Sequence, residues 1–144
     1  MKKLGIGGDH AGFDYKEKVK ALLAKEGYEV IDFGPDSQES ADYPDFVHPL
    51  ALAVEEGKVE LGIAICGSGN GVCMTVNKHQ DVRGALVWNT ELASLSRQHN
   101  NANIVCIPAR FIDFSTAEEI VKTFLNTDFE GGRHTRRVGK IACQ

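Results

Sequence analysis

Residues 61–65 read Leu-Gly-Ile-Ala-Ile and run without interruption into Cys66-Gly67-Ser68-Gly69-Asn70-Gly71. Such a run is too short for a buried helix and lacks the polar alternation of a half-exposed strand. It therefore predicts a strand covered on both faces, as in a parallel sheet flanked by helices. The remaining segments agree. Strands are predicted at Lys3 to Gly7, Glu29 to Phe33, Arg83 to Trp88 and Asn103 to Ile107. Between them lie helical patterns: one with Tyr15, Val19, Leu22 and Leu23 on a single face before Gly27, and one from about Phe46 to Glu56 with Pro49 near its first turn. Others begin at Val72, run from Thr90 to His99, and start with a Ser115–Glu118 capping box and end at Leu125. No repeat or Pro/Gly linker divides the chain, so residues 1–144 read as one domain with a basic, partly helical tail from about residue 130. The fold class is α/β: a three-layer αβα sandwich around a five-stranded parallel sheet, Rossmann- or flavodoxin-like, with expected strand order 2-1-3-4-5.

In such sheets ligands bind beyond the carboxyl ends of the strands, at the point where successive crossovers leave for opposite faces. Here that point lies between the first and third strands, whose ends carry Asp9-His10 and the Cys66–Gly71 loop. The loop is not a Walker A motif, because Val72-Cys73 replaces the Lys-Ser/Thr pair, and Val72 also breaks a dinucleotide GxGxxG. Val72 stands as well where a cysteine phosphatase needs arginine, and Cys66 where a receiver domain needs aspartate. What remains is a row of backbone N–H groups opening a helix, able to cradle an oxyanion beside a thiol. Donors around a cysteine sulfur favour its thiolate, so Cys66 is a candidate base. The alternative is an inert thiol at a strand end.

A formal net charge of −4 and a pI near 5.7 exclude a dedicated nucleic-acid binder with a basic face. An anionic ligand must be held locally. The tail offers the means, because Arg133, His134, Arg136, Arg137 and Lys140 follow Glu130. Arg133 and Arg137, four residues apart, share a face if the tail is helical. The same pattern also describes a solvated helix face. Cys66, Cys73, Cys106 and Cys143 form no CxxC pair and no disulfide framework, and neither a zinc motif nor a membrane span is present. The opening MKKLGIGGDH lacks the apolar region of a signal peptide, so the expected location is the cytoplasm.

His99 and Asn100 end the helix after the fourth strand, at the opposite edge of the sheet from Cys66. If His99 acts with Cys66, a second subunit must deliver it across a two-fold interface. Otherwise it is a helix-terminal residue that stabilises the dipole.

Taken together, the GGDHAG start, DYPD around Tyr43, CGSGNG, Asn77-Lys78, SRQHNNAN, Arg110 and EGGRHTRRV resemble the B-type ribose-5-phosphate isomerases over nearly the whole chain. The wider family includes galactose-6-phosphate isomerase subunits and allose-phosphate isomerases. The resemblance implies interconversion of ribose 5-phosphate and ribulose 5-phosphate through a cis-enediolate, with no cofactor and no metal. It implies Cys66 as the base, Ser68 and the Gly67, Gly69, Asn70 and Gly71 loop as the oxyanion cradle, His99 as the ring opener and Asp9 as the hydroxyl-orienting group. His10, Arg110, Arg133 and Arg137 match phosphate-binding positions, and Tyr43 and Asn100 match the sugar site. Ser68 departs from the threonine of many members but keeps the hydroxyl. A homodimer with shared active sites is implied, with pairing into tetramers left open. The competing readings are a hexose 6-phosphate isomerase of the same family and a non-catalytic sugar-phosphate sensor.

Overall fold

Burial along the strands dictates where each sits in the sheet. The computed structural model describes residues 2–143. Within it β1 (Lys3–Gly8), β3 (Leu61–Cys66) and β5 (Ile104–Pro108) bury every residue except Lys3. By contrast β2 (Glu29–Asp32) alternates exposed and half-buried positions, and β4 (Gly84–Leu86) is half-buried throughout. The three apolar strands therefore occupy the middle and the other two the edges. All pairings are parallel and the order is β2-β1-β3-β5-β4. The α/β three-layer architecture matches the sequence reading, and the strand order corrects it. The expected 2-1-3-4-5 arrangement would have left the fully apolar β5 on an edge and the short β4 in the interior.

One face of the sheet is covered by α1 (Phe13–Lys25), α4 (Thr90–Gln98) and α5 (Phe114–Leu125), which bring Val19, Leu23, Ala93, Ile120 and Phe124 onto Leu4, Ile6, Ile63, Val105 and Ile107. The other is covered by α2 (Tyr43–Glu55) and α3 (Asn70–Val76), through Val47, Leu50, Ala51, Val72 and Val76. Thus α1 leaves β1 toward one face and α3 leaves β3 toward the other, which opens a crevice at the ends of these paired strands. The tail folds into a short helix, α6 (Arg133–Val138), none of whose residues is buried. Its last residue, Gln144, lies outside the described residues, as does Met1. No helix among the described residues is long and apolar enough to cross a membrane.

Three local details differ from expectation. Helix α2 begins at Tyr43 rather than Phe46, with Asp42 as N-cap and Pro44 in its first turn. Pro49 consequently lies inside the helix, where its ring nitrogen offers no proton to the preceding turn. The α5 cap is Asp113, whose side chain accepts from Thr116 N–H at 2.9 Å and from Ser115 Oγ at 3.0 Å. Glu118 instead faces Lys122 one turn on. The fourth strand stops at Leu86, leaving Trp88 half exposed.

The crevice is braced from both sides. A Cβ at Gly8 or Gly12 would stand 2.0 or 2.1 Å from the Ile65 carbonyl oxygen, so the turn after β1 rests directly on the β3 backbone. On the far side of α1, the fully buried Lys16 ammonium donates to Asp32 at 2.7 Å and Glu17 at 2.9 Å, while Lys20 reaches Asp32 at 2.6 Å. Asp32 also accepts from Gly34 N–H at 2.8 Å, and the Gly34 carbonyl in turn accepts from Gly8 N–H at 3.0 Å.

Candidate active site

The β1–β3 crevice widens into a cleft of about 490 Å³ lined by Asp9, His10, Ala11, Tyr43, Cys66, Gly67, Ser68, Gly71, Arg110 and Phe111. The ends of β3 and β5 build its floor. The Cys66 carbonyl accepts from Ala109 N–H at 2.9 Å and that of Gly67 from Arg110 N–H at 3.0 Å, so the two strand ends leave the sheet together. Cys66 is 5% exposed and lines the cleft, and its Sγ accepts from Gly69 N–H at 3.2 Å. That bond requires the loop to turn sharply, and Gly69 supplies φ +76° at a point where a Cβ would meet Leu86 at 2.5 Å. Ser68 Oγ accepts from Asn70 N–H at 3.3 Å.

The walls are also fixed. Asp9 Oδ1 caps the turn after β1 by accepting from Ala11 N–H at 3.0 Å and Gly12 N–H at 3.2 Å. His10 Nδ1 accepts from Ala41 N–H at 3.1 Å. A backbone amide can only donate, so a neutral His10 carries its proton on Nε2. The Tyr43 ring lies against Gly71, where a Cβ would approach Cζ to 2.5 Å. Arg110 rests on Gly67 with its guanidinium over the loop. Phe111, 75% exposed, forms the rim.

Of the residues singled out from sequence, Asp9, His10, Tyr43, Cys66, Gly67, Ser68, Gly71 and Arg110 converge here. Gly69 acts from behind, through its N–H. Asn70 faces an adjoining apolar hollow with Leu86, Trp88, Pro108 and Phe111. The other cysteines take no part. Cys106 is fully buried, and its hydrogen bond with Cys73 together with burial pushes its thiol well above the ordinary range.

His99, Asn100, Arg133 and Arg137 are not in this cleft. Helix α4 runs back from the carboxyl ends of the strands, so His99 at its C-cap and Asn100 beside it belong to the other end of the sheet. There Glu130 N–H donates to the Gln98 carbonyl at 3.1 Å and anchors the tail. The His99 ring stacks on His134, with centroids 4.3 Å apart and planes 15° from parallel. Partial burial, and then the positive charges of His99 and Arg133, hold the His134 imidazole below its ordinary pKa. Sequence reasoning passed over Phe111, and it read Glu130 and His134 only as part of the charged tail, not as neighbours of His99. For Glu130 and His134 the signal was their i, i+4 spacing within EGGRH.

One structural change tests how tightly the wall is set. Replacing Gly71 by alanine forces the Tyr43 ring outward without disturbing the core. A displacement of this size at a positioning residue is expected to lower kcat/KM about 10²-fold while leaving the thermal midpoint near native. Steady-state kinetics with a melting curve check it, and unchanged kinetics would remove Tyr43 from the substrate site.

The cleft thus gathers a thiol under a backbone N–H, a hydroxyl, a carboxylate, an imidazole and a guanidinium, on a fold that known proteins share. Residues 4–141 match the model of the family described as Ribose/Galactose Isomerase. The chain is 42% identical over 143 residues to ribose-5-phosphate isomerase B of Escherichia coli strain K12, covering 99% of this chain and 96% of that one. Ribose-5-phosphate isomerase B of Clostridium thermocellum superposes with a TM-score of 0.95 at 47% identity, over 96% of this chain and 94% of the other. The Mycoplasma genitalium enzyme, solved with bound ribulose-5-phosphate, gives 0.93 at 42%, over 96% and 93%. With matches spanning nearly all of both partners, from the GGDHAG turn to the basic tail, this chain belongs to the ribose/galactose isomerase family.

Proposed function

We propose that the protein interconverts ribose 5-phosphate and ribulose 5-phosphate. The observation that carries this reading is Cys66 in the lining of a cleft of sugar-phosphate size, its Sγ accepting from a loop N–H at 3.2 Å. The names of the relatives above point to the same substrate pair. In this mechanism the Cys66 thiolate takes the proton from C2 of the open-chain aldose. The C–H electron pair moves into a C1–C2 double bond as the C1 carbonyl pair moves onto O1, giving a cis-enediolate, and the O2 proton then passes to O1 so that the C2 carbonyl can form. The same sulfur returns the proton to C1, so no electrons leave the substrate and no redox cofactor is needed. The N–H groups of residues 67–71 and the Ser68 hydroxyl stabilise the negative charge, where preorganised donors contribute most. Asp9 orients the hydroxyls, and Tyr43 closes one wall. His10, through Nε2–H, and Arg110 meet the phosphate.

Ring opening and the remaining phosphate contacts fall to His99, Asn100, Arg133 and Arg137 of a second copy, so the complete site belongs to a homodimer. What supports this is the separation of the two groups of residues within one chain. The expected result of mixing Cys66→Ala and His99→Asn chains follows from symmetry. Each mixed dimer pairs an intact Cys66 with an intact His99 at one of its two sites, so random re-association restores about a quarter of native activity. Absence of recovery after demonstrated subunit exchange would contradict the shared site.

The reaction itself is tested by turnover across ribose 5-phosphate, allose 6-phosphate and galactose 6-phosphate in D₂O. The expected outcome is fastest conversion of the pentose with deuterium entering from solvent. Binding without loss of the C2 hydrogen would instead identify a sensor.

A further inference from the structure

The cluster at the C-terminus of α4 has a geometry that pairing of charges alone does not require. Glu130 Oε1 lies 3.6 Å from His99 Nε2 and 3.9 Å from His134 Nε2. All three ligand atoms fall within 4.8 Å of one another. Tetrahedral zinc with bonds of about 2.0–2.2 Å holds its ligand atoms roughly 3.4 Å apart. The two imidazole–carboxylate edges are therefore within a few tenths of an ångström of the required length. The His–His edge must close and the stacked rings must turn out of parallel to aim both nitrogens at one ion, which His99 and Glu130, both partly exposed, are free to allow by rotation. The tail is already fixed to α4 by the Glu130 N–H to Gln98 bond, so most of the ordering entropy of such a site is met by the fold.

We propose that His99, Glu130 and His134 form a zinc site, and that zinc bound there inhibits the enzyme by occupying the His99 nitrogen. Two imidazoles and one carboxylate make a donor set that selects a borderline dication over magnesium or calcium. Three protein ligands leave a fourth position open to water or substrate oxygen. Arg133 and Arg137 oppose the added charge, and Glu130 offsets part of it. The inhibitory half of this proposal rests on the ring-opening role given to His99 above. The binding half does not.

The test is titration of the metal-free protein with zinc sulfate in a non-phosphate buffer, followed calorimetrically, alongside Glu130→Gln and His134→Asn. Each variant is expected to bind zinc at least about 10-fold more weakly, with circular dichroism confirming the fold. Cobalt should give ligand-field bands without thiolate charge transfer. Undiminished affinity in both variants, or thiolate bands from Cys66 or Cys143, would overturn the site. Zinc should also slow ribose 5-phosphate turnover reversibly, EDTA restoring it, with the inhibition midpoint moving in Glu130→Gln by the same factor as affinity. Binding at these residues with turnover unaffected would leave the metal site standing and overturn both the inhibition and the catalytic role of His99. Turnover in metal-free buffer checks the isomerase activity separately.

Discussion

Replacing Cys66 with alanine is expected to lower turnover by at least about 10²–10⁴-fold, the usual contribution of a positioned acid–base group, while sugar-phosphate affinity stays within a few-fold of native. The reasoning is local. The substitution deletes one sulfur atom from the lining of the cleft and leaves Asp9 and His10 on their backbone anchors, with Tyr43 and Arg110 in the walls. It also leaves Gly69 N–H without its acceptor, a loss of about 1 kcal/mol that a domain of this size tolerates. Serine at the same position keeps an acceptor for Gly69 but supplies a far weaker acid, so Cys66→Ser should restore the loop and not the rate. Calorimetric binding of ribose 5-phosphate, initial rates and solvent deuterium uptake at C2 separate these effects. Turnover surviving in Cys66→Ala would eliminate the thiolate mechanism.

The largest stability effect is expected from Asp32→Ala. Lys16 is fully buried and has Asp32 and Glu17 as its two anionic partners. Removing one partner of a buried ion pair strands charge in a poorly solvated place and costs about 3–5 kcal/mol. Glu17 remains and Asp32 is itself partly exposed, which places the expected loss at about 3 kcal/mol, the lower end of that range. A second consequence is functional. Gly34 loses its acceptor, and with it weakens the chain of bonds from Asp32 through Gly34 to Gly8, the residue before Asp9. Affinity for substrate should fall along with stability. The pH dependence has a definite sign. Burial pushes the Asp32 carboxyl up, but hydrogen bonds from Lys16, Lys20 and Gly34 N–H outweigh it and hold the pKa below the ordinary value. A carboxylate depressed in the folded state contributes fully above its unfolded pKa of about 3.9, and the contribution disappears as pH drops through the lower folded value. Urea midpoints measured between pH 7 and 2.5 should therefore decline steeply below about pH 4 in the native chain and less steeply in Asp32→Ala. Parallel curves for the two proteins would show that Asp32 is not a source of acid sensitivity.

The sheet, its parallel sense and the position of the crevice were legible because they follow from short-range pattern. Leu61–Ile65 could only be a doubly covered strand, and the glycine loop after it could only lie at a strand end. The order of β4 and β5 was not legible from connectivity, since consecutive strands more often sit side by side. Burial decided it: Ile104–Pro108 is apolar throughout and needs neighbours on both edges, whereas Gly84–Leu86 is too short to shield anything. The Ser115–Glu118 pattern fitted a cap, but Asp113 two residues earlier binds the free amide more strongly. Half of the candidate site came from topology alone, because Asp9 and Cys66 end adjacent strands. Lys16–Asp32 was invisible, as no local spacing links a helix residue to the end of the next strand. His99 was expected at the opposite edge of the sheet from Cys66, whereas α4 carries it to the opposite end of the strands, and its stacking partner His134 was not foreseen because the tail was read only for its charge.

The contact between Gly8, Gly12 and the Ile65 carbonyl also limits how this scaffold can be redesigned. A seam whose tightest contacts are made by main chain leaves little side chain to trim, so variants meant to admit a longer or shorter sugar gain little room from the β1–β3 side. Outside the residues given a role in acid–base chemistry or phosphate contact, the large removable groups of the lining are Tyr43 and Phe111. Libraries seeking new substrate range should therefore be built at those two positions, with Gly8, Gly12 and Ile65 left as they are.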